Sequence, residues 1–353
     1  MSIRARLGCA LLASCFCAGM ASGQQPGPRA EAGAGTINLD VVVTPKSGPP
    51  VGDLQQSDFT LLDNKAPQTI TSFKVVDARE APIEVVIVLD AVNDSAQNLG
   101  YERTEIDKFL EADGGNLAHP VAIDVVTDTG IQSVASSSSD GNALSAALQK
   151  SDIGLRDIGR AAGYWGATER LQISLKALGQ LLASEAARPG RKLVLWVSPG
   201  WPLLSGPGLQ LDAKDQQQLF SNIVGISTDL LRASITLYSI DPLGAGESTL
   251  RTSDYEMFLK GVSKPDRALP GDLGLEVIAT QSGGLVLNSG NDLVKFLNEC
   301  VSDSAPYYEI SFAAATPEKP NEYHQLGIKI ARPGLTARTR EGYYAQPPSA
   351  PGN

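Results

Sequence analysis

Histidine and cysteine are scarce in this chain of 353 residues, and their placement removes several chemistries at once. The two histidines, His119 and His324, stand far apart, so there is no paired-histidine metal motif; a CxxC pair and a Walker loop are likewise missing. No serine elbow with glycine two residues to either side occurs, which leaves a serine hydrolase without its nucleophile. Three of the four cysteines, Cys9, Cys15 and Cys17, fall within the first 17 residues. Cys300 is then alone and reads as a small buried hydrophobe late in a helix. Basic residues are outnumbered, 29 against 39 acidic, for a net charge of −10. Such a chain repels a phosphate backbone, which excludes nucleic acid as a partner. Beyond Ala21 no apolar run is long enough to form a transmembrane helix.

What is present begins with an export signal over residues 1–23. Arg4 and Arg6 form a short positive region, Leu7 to Ala21 is uncharged and mostly apolar, and Ala21-Ser22-Gly23 supplies small residues before a cleavage point. Cleavage there would leave 27 basic against 39 acidic residues, a net charge of −12. The expected location is secreted, periplasmic or in the cell envelope. A competing reading is a lipid anchor at Cys15 through Leu12-Ala13-Ser14-Cys15, although apolar sequence continues past that cysteine.

After a flexible leader at 24–35, three short strands are expected over 36–80: Thr36–Thr44, Phe59–Leu62 and Thr69–Val76. Three short strands cannot form a stable sheet alone. From Pro82 the pattern changes to continuous β-branched runs alternating with helical periodicity, spanning 81–304. Ile83–Leu89, Val121–Val126, Lys192–Val197 and Ser234–Ile240 read as strands buried on both faces of a parallel sheet. An edge strand near Ile131–Ala135 and a short strand at Leu285–Asn288 complete it. Helices are expected near Tyr101–Ala112, Asp140–Leu148, Thr168–Ser184, Leu209–Leu231, Leu273–Ser282 and Asn291–Val301, with a tight turn at Gly283-Gly284. This order predicts an open, doubly wound, mainly parallel α/β sheet. Residues 305–346 turn β-rich again, with a hairpin-like pair at Tyr307–Ala313 and Tyr323–Ala331 and a last strand at Thr339–Ala345, before a tail at 347–353. The two β-rich ends are expected to pair into one sandwich-like domain of about six strands, the α/β domain being inserted between them.

The segments LDVVVT…DFTLLDN, PIEVVIVLDAVND, LEVIATQSGG…DLVKFLNECVSDSAPYYEISF and RPGL…REGYYA resemble those of von Willebrand factor A-related domain proteins of acidobacterial type. The resemblance runs from about Thr36 to Ala345. It implies export and a von Willebrand A-like fold, and no established reaction. Domains of that family often hold Mg²⁺ or another divalent ion at an adhesion site built from an Asp-x-Ser-x-Ser loop, a threonine and a further aspartate, leaving one coordination place for a partner's carboxylate. Here Asp90 occupies the first position, at a strand's C-terminal end where open α/β sheets place their sites. Val92 and Asp94 replace the two serines, Thr168 supplies a second-loop hydroxyl, and Pro199 stands where the third-loop acid belongs.

The metal set would thus be Asp90, Asp94 and Thr168, with Asn93 or Ser95 assisting. It falls short of what a hard cation needs, and Asp90 and Asp94 read first as caps of the following turn or helix. Comparison with the haloacid dehalogenase-like phosphatases fails because Val92 stands where their second aspartate would be. Both histidines read as surface or turn residues. Trp196 reads as core, whereas Trp165 and Trp201 are expected in loops beside Asp90. With Asn93, Asp94 and Thr168 they define a binding rim, to which the loop at 243–271 adds a further surface. The functional expectation is a protein- or peptide-binding module with a degenerate metal site and no cofactor. The alternative is a secreted enzyme of unrecognised type using a divalent ion at the same rim.

Overall fold

The computed structural model describes residues 35–77, 83–152, 163–204, 211–244 and 253–346. The segments expected to form an export signal and a leader, residues 1–34, and the expected C-terminal tail lie outside the described residues. Four strands open the fold: β1 (Thr36–Pro45), β2 (Phe59–Asp63), β3 (Ala66–Gln68) and β4 (Ile70–Val76). The chain then enters β5 (Ile83–Asp90), whose uninterrupted run IEVVIVLD has a simple explanation. Val85, Ile87 and Leu89 feed one core with Ile106, Phe109, Leu144 and Leu297. Val86 and Val88 feed another with Leu171, Leu178, Leu230 and Ile278. Both faces of the strand are dry, so no polar alternation survives.

The rest of this layer follows in order as α1 (Ala96–Glu111), β6 (Asn116–Thr127), β7 (Gly130–Asp140), α2 (Gly141–Lys150), α3 (Gly163–Ala186), β8 (Arg191–Val197), α4 (Ala213–Arg232), β9 (Ile235–Ile240), α5 (Leu275–Gln281), β10 (Val286–Leu287) and α6 (Leu293–Ser302). The six strands lie in the order β10-β9-β8-β5-β6-β7. All are parallel except the edge strand β7, which runs antiparallel to β6. Numbered within the sheet this is the order 3-2-1-4-5-6, a doubly wound α/β layer whose direction of travel reverses between β5 and β8. Core residues of α1, α2 and α6 cover one face and those of α3, α4 and α5 the other. The glycine pair after α5 closes the helix-to-strand turn. Gly283 has φ +91°, and a Cβ on Gly284 would come within 1.8 Å of the Leu237 carbonyl oxygen.

The chain ends in β11 (Tyr307–Ala313), β12 (Glu322–Ile330), β13 (Leu335–Arg338) and β14 (Gly342–Ala345). These interleave with the N-terminal strands in two four-stranded antiparallel sheets, β13-β1-β11-β4 and β14-β12-β2-β3. Leu39, Val41, Leu61, Ile310, Phe312, Leu326 and Tyr343 fill the space between them. The expected hairpin of Tyr307–Ala313 with Tyr323–Ala331 does not form. β11 pairs with β1 and β4, whereas β12 pairs with β14 and β2, so the connection crosses from one sheet to the other. Pairing of β11 with β12 was outcompeted because each finds an N-terminal strand with an open edge, β11 with β1 and β4, and β12 with β2.

The sandwich meets the α/β layer around the first residues of β8. Arg191 lies 3.7 Å from Asp40 of β1, stacks over the Tyr307 ring at 4.5 Å and donates to the Asp303 carbonyl at 2.7 Å. Asp303, just after α6, takes a hydrogen bond from Tyr238 at 2.6 Å and pairs with Arg338. Both histidines correct the surface reading. His119 lies within β6, buried, and its Nε2 is 2.8 Å from the Ser304 hydroxyl. His324 is buried in the sandwich, with Nδ1 2.8 Å from the Asp63 carboxylate, which also accepts from Tyr343 at 2.8 Å. Cys300 is a free, fully buried thiol in α6.

Candidate recognition site at the sheet's C-terminal edge

The reversal between β5 and β8 creates the crevice in which open α/β sheets carry their sites, and Asp90 stands at its centre. Its side chain is fully buried. Oδ1 accepts from the backbone N–H groups of Val92 at 3.1 Å and Asn93 at 3.0 Å. Oδ2 accepts from Asn93 Nδ2 at 2.9 Å, Trp196 Nε1 at 3.0 Å and Ser198 Oγ at 3.2 Å. Burial pushes the Asp90 carboxyl up from its ordinary range, and the donors from Asn93, Trp196 and Ser198 pull it back. Five donors converge on a carboxylate with room for about four acceptor directions. The group is a structural hub joining β5, β8 and the following turn.

Asp94 is also buried, and its Oδ1 accepts from the Ser95 N–H at 2.6 Å and from Asn98 Nδ2 at 2.7 Å. Ser95 caps α1 by accepting from the Asn98 N–H at 3.1 Å. Val92 is buried and offers no oxygen. The residues present therefore do not fit a divalent cation: Asp90 is saturated by protein donors, and the Thr168 hydroxyl donates to the Tyr164 carbonyl at 2.9 Å within its own helix. Among the described residues no group of three or more His, Cys, Asp or Glu is arranged to hold a metal.

Two rim expectations are corrected, by helix α3 and by packing. α3 spans Gly163–Ala186, so Trp165 is helical and not in a loop, while Thr168 lies in the helix as expected. The helix touches the Asp90 turn through Ser174, whose Oγ accepts from Asn93 Nδ2 at 2.8 Å. At 1.5 Å rise per residue, Thr168 lies about 9 Å and Trp165 about 14 Å further along the axis. Trp165 is 80% exposed, beside Tyr164, with the two rings edge to face at 5.8 Å. Trp201 is fully buried, edge to face against Trp196 at 5.2 Å, and anchors the loop after β8 to the core. Within the segment 243–271, residues 245–252 lie outside the described ones; Leu243, Met257 and Leu269 are exposed.

One buried acid near the Asp90 turn escaped the sequence reading. Glu102 sits on the apolar stripe of α1 among Leu99, Ile106, Phe109 and Leu110, and is almost wholly buried, with neither carboxylate oxygen accepting a hydrogen bond from a protein donor. An acid at a core position of an amphipathic stripe was the available signal. Burial pushes its carboxyl well above the usual range, and Asp94, Asp90 and Asp241 push the same way. A folded-state value above the unfolded one means the native protein holds this proton more tightly. Stability therefore falls as pH rises from the ordinary carboxylate value through the raised one. Glu102→Gln removes that loss. Urea midpoints at pH 4 and pH 8 should show the variant's advantage growing with pH; an equal advantage at both would refute this.

No protein-family model matches the sequence, and no curated protein does. Solved structures give distant matches. The human COPII-coat protein Sec24c is 9% identical, with 78% of this chain and 46% of that chain covered, at a TM-score of 0.36. Proximal thread matrix protein 1 from the mussel byssus, with a zinc-occupied MIDAS motif, is 15% identical over 69% of this chain and 50% of that one, at 0.37. The VWA domain of SpRpn10 is 12% identical over 61% and 94%, at 0.28. This chain thus spans about half the length of the first two. At such scores the likeness adds nothing to the fold already given by strand order. Among the described residues no helix is long and apolar enough to cross a membrane.

Proposed function

We propose that this von Willebrand A-like chain is an exported protein- or peptide-binding module of the acidobacterial type, in which the ancestral ion position has become structural. The observation that carries the reading is the contrast at the sheet's C-terminal edge: Asp90 is closed off by five protein donors, while Trp165 projects into solvent on the overhanging first turn of α3. An exposed tryptophan paired with a tyrosine offers a large, rigid contact surface at low entropic cost, the chemistry of an interface anchor. Recognition then runs through aromatic packing and needs no bridging ion.

Trp165→Ala is expected to leave the unfolding midpoint within about 0.5 kcal/mol of wild type, as for an exposed site. Capture of a partner from envelope extracts should fall by about tenfold or more, the loss of an anchor worth about 2 kcal/mol. Undiminished capture by the Trp165→Ala/Tyr164→Ala double variant would remove the rim from the interface. Calorimetric titration with Mg²⁺ and Mn²⁺ tests the other half of the reading, and no saturable heat is expected.

A further inference from the structure

The first two turns of α3 carry three exposed side chains that the fold itself leaves unused. Tyr164 and Trp165 are 53% and 80% exposed, with their rings edge to face at 5.8 Å and 78°. In such a pair the edge of one ring meets a face of the other. At least one face of the Trp165 indole therefore stays open, whichever ring supplies the edge. Glu169 follows Trp165 by four residues, which places it about 40° round the helix and about 6 Å along it. Glu169 is exposed, and among the described residues its carboxylate enters no hydrogen bond or ion pair. The basic residues that follow on α3 leave it free. Arg170 is turned about 100° further round the helix and is partly buried, and the Lys176 ammonium donates to the Thr129 carbonyl at 3.2 Å.

An open indole face alone would accept any apolar anchor, and the carboxylate beside it selects among them. An apolar partner would have to desolvate Glu169 without returning a hydrogen bond. An acidic partner would be repelled by it and by a chain of net charge −10. A cation satisfies both groups. Of the two basic side chains, lysine presents a compact, strongly hydrated ammonium. The arginine guanidinium is a plane that stacks on an aromatic face and forks onto a carboxylate. The buried acids Asp90, Asp94 and Glu102 add little to this choice. The Asp90 turn meets α3 at Ser174, about 14 Å along the axis from Trp165 and beyond the screening length of about 8 Å. Charge selection therefore rests on Glu169.

We propose that Trp165 and Glu169 form a docking site for an arginine of a basic peptide segment. The guanidinium lies on the indole face and donates hydrogen bonds to the carboxylate. Tyr164 is a positioning residue, which holds the indole through the edge-to-face contact. The assignment rests on the reading of Trp165 as the interface anchor, and adds to it the charge and side-chain type of the partner.

Titration of the isotopically labelled full chain with the capped peptide Gly-Gly-Arg-Gly-Gly tests the assignment. It is followed by nuclear magnetic resonance at the indole N–H signal that Trp165→Phe removes, with the buried Trp196 and Trp201 indoles as internal references. A saturable shift confined to Trp165 is expected. The affinity should be about tenfold weaker for the same peptide with neutral citrulline in place of arginine, and weaker again with leucine. Lysine in that place should also bind less tightly than arginine. Glu169→Gln, at an exposed helical position, keeps the fold and is expected to weaken the arginine peptide about fivefold without changing the citrulline one. Equal binding of the citrulline, leucine or lysine peptide overturns the proposal. So does an unchanged affinity in Glu169→Gln, or the absence of any Trp165 response. Loss of partner capture by Trp165→Ala with no response to the arginine peptide would sink this inference alone. A Trp165 response to that peptide with undiminished capture by the Trp165→Ala/Tyr164→Ala variant would instead sink the recognition reading.

Discussion

Asp90→Ala is expected to unfold the α/β layer more readily, by about 3–5 kcal/mol, without changing any divalent-ion affinity. The substitution removes the acceptor for the Val92 and Asn93 backbone donors, Asn93 Nδ2, Trp196 Nε1 and Ser198 Oγ together. Those donors lie at the junction of β5 and β8, where the buried Asp90 and Trp196 exclude replacement water. Asp90→Asn should cost less than the alanine variant. An amide oxygen still serves the two backbone donors, but its NH2 group faces the donors that Oδ2 had satisfied. Urea unfolding followed by tryptophan fluorescence reports the effect, because Trp196 is itself one of the donors. A variant that keeps its midpoint and loses millimolar Mg²⁺ binding would restore the ion-binding reading.

The second large effect is expected where the sandwich joins the α/β layer. Asp303→Ala strips Arg338 of its counter-ion and leaves the buried Tyr238 hydroxyl without its acceptor. Breaking a buried pair from one side costs about 3–5 kcal/mol, most of it the penalty of the charge left behind. Adding Arg338→Met removes that charge. The double variant is therefore expected to be more stable than Asp303→Ala alone, a non-additivity of about 1 kcal/mol or more that a double-mutant cycle in urea would measure. Simple additivity would mean that Arg338 gains nothing from Asp303. Arg191 is unaffected in this design, because it contacts the backbone carbonyl of Asp303.

Much of the architecture was legible because it depends on periodicity. A strand buried on both faces must be apolar throughout, and Ile83–Leu89, Lys192–Val197 and Ile235–Ile240 could be recognised on that ground. The need for the two chain ends to pair was equally visible, since short strands with open edges require partners. The site was harder to read. Asp90 was identified at the correct strand end, yet its accessibility depended on Trp196 and Ser198, more than 100 residues away in sequence and adjacent only through the β5–β8 pairing.

Local composition told which residues are apolar or charged, and from their spacing which faces of helices and strands turn inward. That was enough to determine the doubly wound sheet, the helical stripes and the β character of both ends. Tertiary structure alone decided which polar groups are satisfied and which surfaces remain open. It placed Trp201 against Trp196 in the core, carried Trp165 out on five extra helical residues, and buried both histidines. The physical reason is that burial and hydrogen bonding are properties of what arrives from elsewhere in the chain. Periodicity specifies a face, while the partner that covers it is chosen by topology.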